Sequence, residues 1–227
     1  PMQPPYDNAK LNRLMDEAGI DLILAHTPHN IRYLSGGYYF HFRERIAAIG
    51  PSQYLPFVGI PKDDSTRAFQ VAWLVEASPR NEIDVWIPDV IHTKARGTVG
   101  AAQTAAEAIR IRGLTKATIG IERAFMPVDA MDALREELPD AHFVESFGIL
   151  EELRVIKRPD ELEILCQVGQ SAAEAIQEGF RLGATDATTE KIARTVEGGM
   201  VQRGIHFHYV FTAAGPGMRR EPSEKKW

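Results

Sequence analysis

Histidines at alternating positions near the end of the sequence are the first residues whose type and spacing could do chemistry. His206 and His208 lie in HFHYVFTAAG, which is typical of a β-strand, so both side chains would face the same side. Two histidines at positions i and i+2 of a strand can ligate a metal ion. No Cys, Asp or Glu follows at ligand spacing, so packed histidines are the preferred interpretation. His208 is kept as a candidate for the wall of a substrate pocket.

Three other reactive side chains have structural explanations. His26 and His29 flank a Thr-Pro turn and are interpreted as loop residues. Cys166 lies in a predicted helix near Leu165 and Val168, and it is interpreted as a small core residue.

The composition excludes several classes of protein. The 227 residues are 44% hydrophobic and 25% charged, as in an average globular protein. The formal charge of −5 argues against nucleic acid or an anionic membrane as the main partner, because those partners require a basic surface. The single cysteine provides no disulfide framework, and no apolar run approaches the roughly 20 residues that span a bilayer. We therefore expect a soluble, cytoplasmic protein.

Hydrophobic periodicity predicts an α/β domain over residues 1–152. Residues 9–18 carry one apolar helical face and are followed by Gly19, which ends the helix. Short apolar runs predict strands in IDLILAH, IAAIG, YLPFVGI, FQVAWLVE, EIDVWIPDV, ATIGIE and HFVES. The stretches TVGAAQTAAEAIRIRG and PVDAMDALREEL are typical of helices. Helices placed between strands indicate a mixed sheet with flanking helices.

Residues 153–227 predict a second, smaller unit of two helices and a strand. Pro159 suits a first helical turn, Asp160 favours the positive end of the helix dipole, and Gly183 ends this helix. The second helix has Asp186 as a candidate N-cap and ends at Gly204. The strand over 206–214 has no predicted partner after it, which leaves an unprotected edge. Such a unit is too small to enclose a catalytic core, so we expect it to be the beginning of a larger domain.

Four stretches of the sequence resemble the creatinase/prolidase/aminopeptidase P family of metallopeptidase-fold enzymes. RLMDEAGIDLILAHTPHNIRYLSGG is similar to the N-terminal opening of that family. VIKRPDELEIL is similar to the linker into its catalytic domain, and residues 160–203 have the length and order of its first two helices. FTAAGPGMRREPSEKKW resembles the strand and loop before the first metal-binding strand.

The resemblance implies a fold, a cofactor and a reaction. The fold is a ribonuclease-H-like mixed sheet with flanking helices, followed by an incomplete α+β pita-bread domain that is truncated before the metal ligands. Full-length metal-dependent members bind two divalent metal ions (Mn, Co or Zn) through two Asp, one His and two Glu, and activate a water that attacks an amide bond. We expect this chain to bind none of these ions and to be inactive alone. The implied partners are a small peptide or carboxylate substrate and a second copy of the chain in a homodimer.

Two arginine-rich stretches are the candidate substrate-binding residues that the resemblance implies. When Pro222 is aligned with the family's Pro-Ser/Thr, Arg219 or Arg220 takes the place of a substrate-contacting His. A guanidinium cannot shuttle protons at neutral pH but binds a carboxylate well, and the alternative is a solvated basic loop. The stretch YYFHFRER resembles a creatinase segment that reaches the partner subunit's active site. Its candidates are Phe42, Arg43 and Arg45, and the alternative is an exposed strand edge.

Three functions remain open at this point. The chain is a portion of an Xaa-Pro peptidase-like hydrolase, a creatinase-like or lyase-type member acting on a small carboxylate or zwitterion, or a non-catalytic binding fragment. The arginines in place of histidine favour the second function. Fold alone does not decide among them.

Overall fold

The structure is a computed structural model that describes residues 3–40, 54–76, 86–93, 97–183, 188–207, 209–212 and 221–222. The helices in this part of the chain are α1 (Asn8–Ala18), α2 (Pro28–Ser35), α3 (Gly97–Ile111), α4 (Val128–Glu137), α5 (Phe147–Val155), α6 (Pro159–Gly183) and α7 (Thr189–Gln202). The strands are β1 (Leu22–Ala25), β2 (Phe57–Pro61), β3 (Phe69–Trp73), β4 (Asp89–Thr93), β5 (Thr118–Ile121), β6 (His142–Glu145), β7 (Phe211–Thr212) and β8 (Glu221–Pro222). Short 3₁₀ turns cover Ser65–Arg67 and Leu74–Glu76.

Six strands form one mixed sheet in the order β4-β3-β2-β1-β5-β6. The β1–β2 and β2–β3 pairs are antiparallel, whereas β3–β4, β1–β5 and β5–β6 are parallel. The predicted α/β fold with a mixed sheet and flanking helices is therefore confirmed.

Helices cover both faces of this sheet, and the alternation of side chains along β1 shows why. Leu22 and Leu24 pack in one core with α3 and α4, whereas Ile23 and Ala25 pack in a second core with α1, α2 and α5. Because successive strand residues point to opposite faces, one uninterrupted apolar run serves two cores.

The chain divides into two units, residues 1–156 and residues 157–227. The first contains the six-stranded sheet, and the second contains the α6–α7 helical pair with the β7–β8 hairpin. In the second unit the helices approach closely at Gly179 and Gly199, where a Cβ atom would come within 3 Å of the facing helix. No helix within the described ranges is long and apolar enough to cross a membrane.

Two helices of the first unit were not predicted. Residues 28–35, interpreted from the sequence as the approach to a Ser-Gly-Gly turn, form α2, with Pro28 at the first helical position and Gly36 in the left-handed region (φ 87°) at its end. Helix α5 covers Phe147–Val155, and the sequence analysis predicted no helix there. Both helices are too short to show a clear apolar period in the sequence. Their apolar residues pack into the second core, and this packing stabilises them.

Several smaller predictions were also wrong. Cys166 is exposed on α6 rather than buried. The N-cap of α7 is Thr188, whose hydroxyl accepts from the backbone N–H of Lys191, so Asp186 is not the cap. Among the described residues of the predicted strand 206–214, only Phe211–Thr212 forms a strand, because its backbone pairs there with β8.

Candidate functional site

The substrate-binding residues predicted from the sequence lie outside the described part of the chain. This holds for Phe42, Arg43, Arg45, His208, Arg219 and Arg220. They remain predictions. What the structure does describe is how the segment leading to the first three is held.

The carboxyl ends of β1 and β5 form a point where the chain leaves the sheet in opposite directions. These two strands are parallel neighbours. Helix α2, which follows β1, packs in the second core, and α4, which follows β5, packs in the first. In open α/β sheets such a switch point opens a crevice in which ligands commonly bind.

A carboxylate of the protein itself occupies this crevice. Glu122 follows β5 directly and is fully buried. Its Oε2 accepts hydrogen bonds from the backbone N–H groups of His26 (2.6 Å) and Thr27 (2.8 Å). Its Oε1 accepts from Asn30 Nδ2 (2.6 Å) and from the hydroxyl of Thr27. The side chain therefore lies where an anion would bind, at the positive end of α2.

The same contacts explain an unusual N-terminus of α2. Thr27 is the N-cap of that helix but makes no side-chain capping bond to it. Its hydroxyl donates to Glu122 instead, so a residue 95 positions away in sequence stabilises the beginning of the helix. This ties α2 to β5 as well as to β1.

His26 completes the cluster as a buried acid–base pair with Glu122. Its Nδ1 lies 3.2 Å from Glu122 Oε2, and its ring stacks on Phe57 with ring centroids 6.1 Å apart. Burial lowers the pKa of His26 even though the charge of Glu122 acts in the opposite direction. Burial also pushes the pKa of Glu122 upward, but attraction to His26 and the hydrogen bonds from Thr27 and the backbone outweigh it and lower that pKa. The stable state is thus a neutral imidazole donating to a carboxylate.

This pair has the composition of a catalytic dyad but not its accessibility. The side chains of His26 and Glu122 are 2% and 0% exposed, so a substrate cannot reach them. His26 Nε2 is buried without a hydrogen-bond partner. We interpret the cluster as an anchor for α2 rather than as a site of reaction.

A second buried carboxylate holds the chain just beyond α2. Glu76 is fully buried, accepts from the hydroxyl of Tyr38 (2.8 Å) through Oε2 and accepts from the backbone N–H of Trp73 (2.6 Å) through Oε1. Burial, followed by the charge of Glu76, raises the pKa of Tyr54 beside it. Residues 26–38 are therefore tied to buried carboxylates at both ends.

Sequence reasoning missed both carboxylates and placed His26 in a loop without recognising its burial. One signal was available, since His26 and Glu122 are each the last residue of a predicted strand. Carboxyl ends of neighbouring parallel strands lie at one edge, but the sequence alone did not show which strands are neighbours.

Among the described residues, no group of three or more His, Cys, Asp or Glu side chains is arranged to hold a metal ion.

Comparison with known proteins identifies relatives of this fold. The family model of the creatinase/prolidase N-terminal domain matches residues 8–156. No curated protein sequence matches the chain. Three solved structures superimpose on it: an Xaa-Pro dipeptidase from Bacillus anthracis (TM-score 0.68, 20% identity), a prolidase from Pyrococcus furiosus (0.65, 22%) and an X-Pro aminopeptidase from Thermotoga maritima (0.65, 16%).

These structures are much longer than the chain described here. The superpositions cover 91%, 91% and 90% of this chain but 52%, 57% and 52% of the respective relatives. The chain thus spans about half the length of the structures that it matches.

Proposed function

The chain belongs to the creatinase/prolidase N-terminal domain family, and from that membership we propose that it forms the substrate-positioning portion of an Xaa-Pro peptidase-like hydrolase. The substrate in this proposal is a small peptide whose free carboxylate is recognised by arginine. The assembly is a homodimer in which the first unit contributes residues to the substrate site.

The extent of the structural match carries this proposal. The family model ends at residue 156, about two thirds of the way along the chain. The similarity to the Xaa-Pro dipeptidase fold covers 91% of the chain, so it includes residues of the second unit as well. A free-standing domain that shared only the sheet would match over the first unit alone.

The anchored segment supplies the physical rationale for substrate positioning. Glu122 and Glu76 hold residues 26–38, and Phe42, Arg43 and Arg45 follow within seven residues of Tyr38. Side chains that bind a ligand must be supported by a rigid framework, because their ordering otherwise costs binding free energy. In our proposal Arg43 and Arg45 bind the peptide carboxylate, and Arg219, Arg220 and His208 are further substrate-binding residues.

The proposal assigns no metal chemistry to the described residues. The two divalent ions expected in full-length relatives require a set of carboxylates and histidine that the described ranges do not contain. In our proposal the role of the chain is to bind and orient the substrate, and we expect residues 1–227 alone not to hydrolyse peptides.

Proline release from Ala-Pro by the natural polypeptide that carries these residues, with Ala-Ala as the comparison peptide, tests the proposal. We expect hydrolysis of Ala-Pro that requires Mn²⁺ and is selective over Ala-Ala. Replacing Arg43 and Arg45 with Gln should raise KM for Ala-Pro, whereas Arg13→Gln on the exposed face of α1 should not. A polypeptide that leaves Ala-Pro intact under these conditions would contradict the proposal, as would hydrolysis by a polypeptide whose intact mass is only 25.3 kDa.

A further inference from the structure

A small cavity lies between α4 and the strands β5 and β6, on the face of the sheet opposite α2. Its volume is about 200 Å³. The floor is apolar and consists of Ile121, Met131 and Phe143, of which the first two are buried. Met126 and Val128 form the rim, and Val128 is 77% exposed. An apolar hollow with an apolar rim favours a ligand that has a hydrophobic body.

Three charged side chains also line the cavity, and they are not equivalent. Arg135 and Asp132 lie one helical turn apart on α4 with their charged atoms at 3.8 Å, so each partly offsets the charge of the other. Arg123 has no ion pair or hydrogen bond from its side chain within the described ranges. The cavity therefore presents one uncompensated guanidinium above an apolar floor.

The backbone position of Arg123 is fixed by the preceding residue, Glu122. Glu122 is held in the buried cluster on the α2 side by hydrogen bonds from His26, Thr27 and Asn30. The next residue, Arg123, lines the cavity on the α4 side. Its backbone is thus anchored at the carboxyl end of β5, and only the side chain has to be ordered when a ligand binds. Anchoring lowers the entropic cost of binding.

We propose that this cavity binds a small apolar monocarboxylate, with the carboxylate on Arg123 and the hydrophobic body on Ile121, Met131 and Phe143. A planar guanidinium matches a carboxylate with two parallel hydrogen bonds, which makes arginine well suited to this group. The single uncompensated charge favours one carboxylate over a more highly charged anion such as phosphate. The volume is below the range of sites for drug-sized ligands and fits a molecule with one ring or a short branched chain. This proposal does not depend on the proposed peptide site.

Titration with 3-phenylpropionate, followed by ¹H–¹³C NMR of the methionine methyl groups, tests the proposal. We expect saturable shifts at Met126 and Met131 with a Kd on the order of 1 mM, as befits a ligand of this size. The uncharged 3-phenylpropionamide, which has nearly the same shape, should bind about tenfold more weakly, because it cannot form the charged hydrogen bonds.

Two variants and a control locate the binding. Arg123→Gln should raise the Kd for 3-phenylpropionate about tenfold. Val128→Glu, at an exposed rim position that leaves the core intact, should weaken binding by placing a negative charge beside the carboxylate. Arg13→Gln is the matched control and should leave the Kd unchanged, because Arg13 is exposed on α1 and pairs only with Glu17 among the described residues. No saturable shift, equal binding of the amide, or an unchanged Kd in Arg123→Gln would each overturn the proposal.

Discussion

Glu122 is a carboxylate that the fold has removed from water and surrounded with donors. A buried charge is costly unless every acceptor position is used, and here both oxygens accept hydrogen bonds from the backbone and side chains of residues 26–30. The negative charge also lies at the positive end of α2. Its principal contribution is to couple the beginning of that helix to the sheet.

Glu122→Gln should therefore destabilise the first unit by about 3 kcal/mol or more. The amide replaces one acceptor by an NH₂ group, and either orientation of the amide directs that group at donors of His26, Thr27 or Asn30. Urea unfolding followed by tryptophan fluorescence reports mainly on this unit, because two of the three tryptophans, Trp73 and Trp86, lie in it. Glu136→Gln, the same chemical change at an exposed position of α4, is the control and should be nearly neutral.

The difference in unfolding free energy between the wild-type protein and Glu122→Gln should depend on pH. The pKa of Glu122 is lowered from 4.5 in the native protein, so its carboxylate contributes stability above about pH 4.5 that is lost as the pH falls further. The gap between the wild-type protein and Glu122→Gln should accordingly be largest near pH 7 and shrink near pH 4. The pKa of His26 is lowered from 6.5, so both proteins should lose stability as the pH falls below about 6.5. A gap that is constant from pH 7 to pH 4 would mean that Glu122 is not charged in the native state.

At the scale of elements, helices with their own apolar periodicity could be predicted from the sequence. Helices that depend on contacts with distant residues could not. Helix α1 with its Gly19 end, helix α3 and helix α4 carry their own apolar periodicity, and the sequence identified all three. Helix α2 has only eight residues, and its N-terminus is stabilised by Glu122. Because that partner comes from another strand, local sequence could not reveal it. The cluster was missed for the same reason, since its members become neighbours only when β1 pairs with β5.

Strands β2 and β3 of the sheet are tightly packed where a glycine of one faces an aromatic ring of the other. Gly59 on β2 pairs directly with Phe69 on β3, and a Cβ atom at Gly59 would lie 2.1 Å from the Phe69 ring. That ring is fully buried, and the Arg112 guanidinium lies over it at 4.5 Å, so it has little room to move.

Gly59→Ala should therefore destabilise the first unit by about 1–3 kcal/mol through overpacking. The matched control is Gly148→Ala in α5, where a Cβ atom meets nothing within 4 Å. There the same substitution should be neutral or stabilise by up to about 1 kcal/mol, because alanine favours the helix. Thermal unfolding of both variants gives the comparison, and a neutral Gly59→Ala would show that the ring can relocate at no cost.

At the scale of the whole molecule, the two units differ in how completely they bury their apolar residues. The sheet of the first unit is covered on both faces, whereas α6 exposes a series of large apolar side chains. These residues and their exposed fractions are Leu162 (50%), Ile164 (61%), Leu165 (53%), Val168 (42%) and Phe180 (75%). An apolar surface of this kind is unfavourable in water and drives association.

We expect the 227-residue chain to associate as its concentration rises, with α6 in the contact. Size-exclusion chromatography with light scattering should show species above the 25.3 kDa monomer, in growing proportion at higher concentration. Replacing Leu162 and Leu165 together with Glu should restore the monomer, because two charges one helical turn apart would have to be buried in the contact. Ile111→Glu, which removes an even more exposed apolar side chain (73%) from α3, should leave the association unchanged. A wild-type chain that stays monomeric at every concentration would contradict both this prediction and the proposed homodimer, whereas association that survives the α6 substitutions would place the contact on another surface.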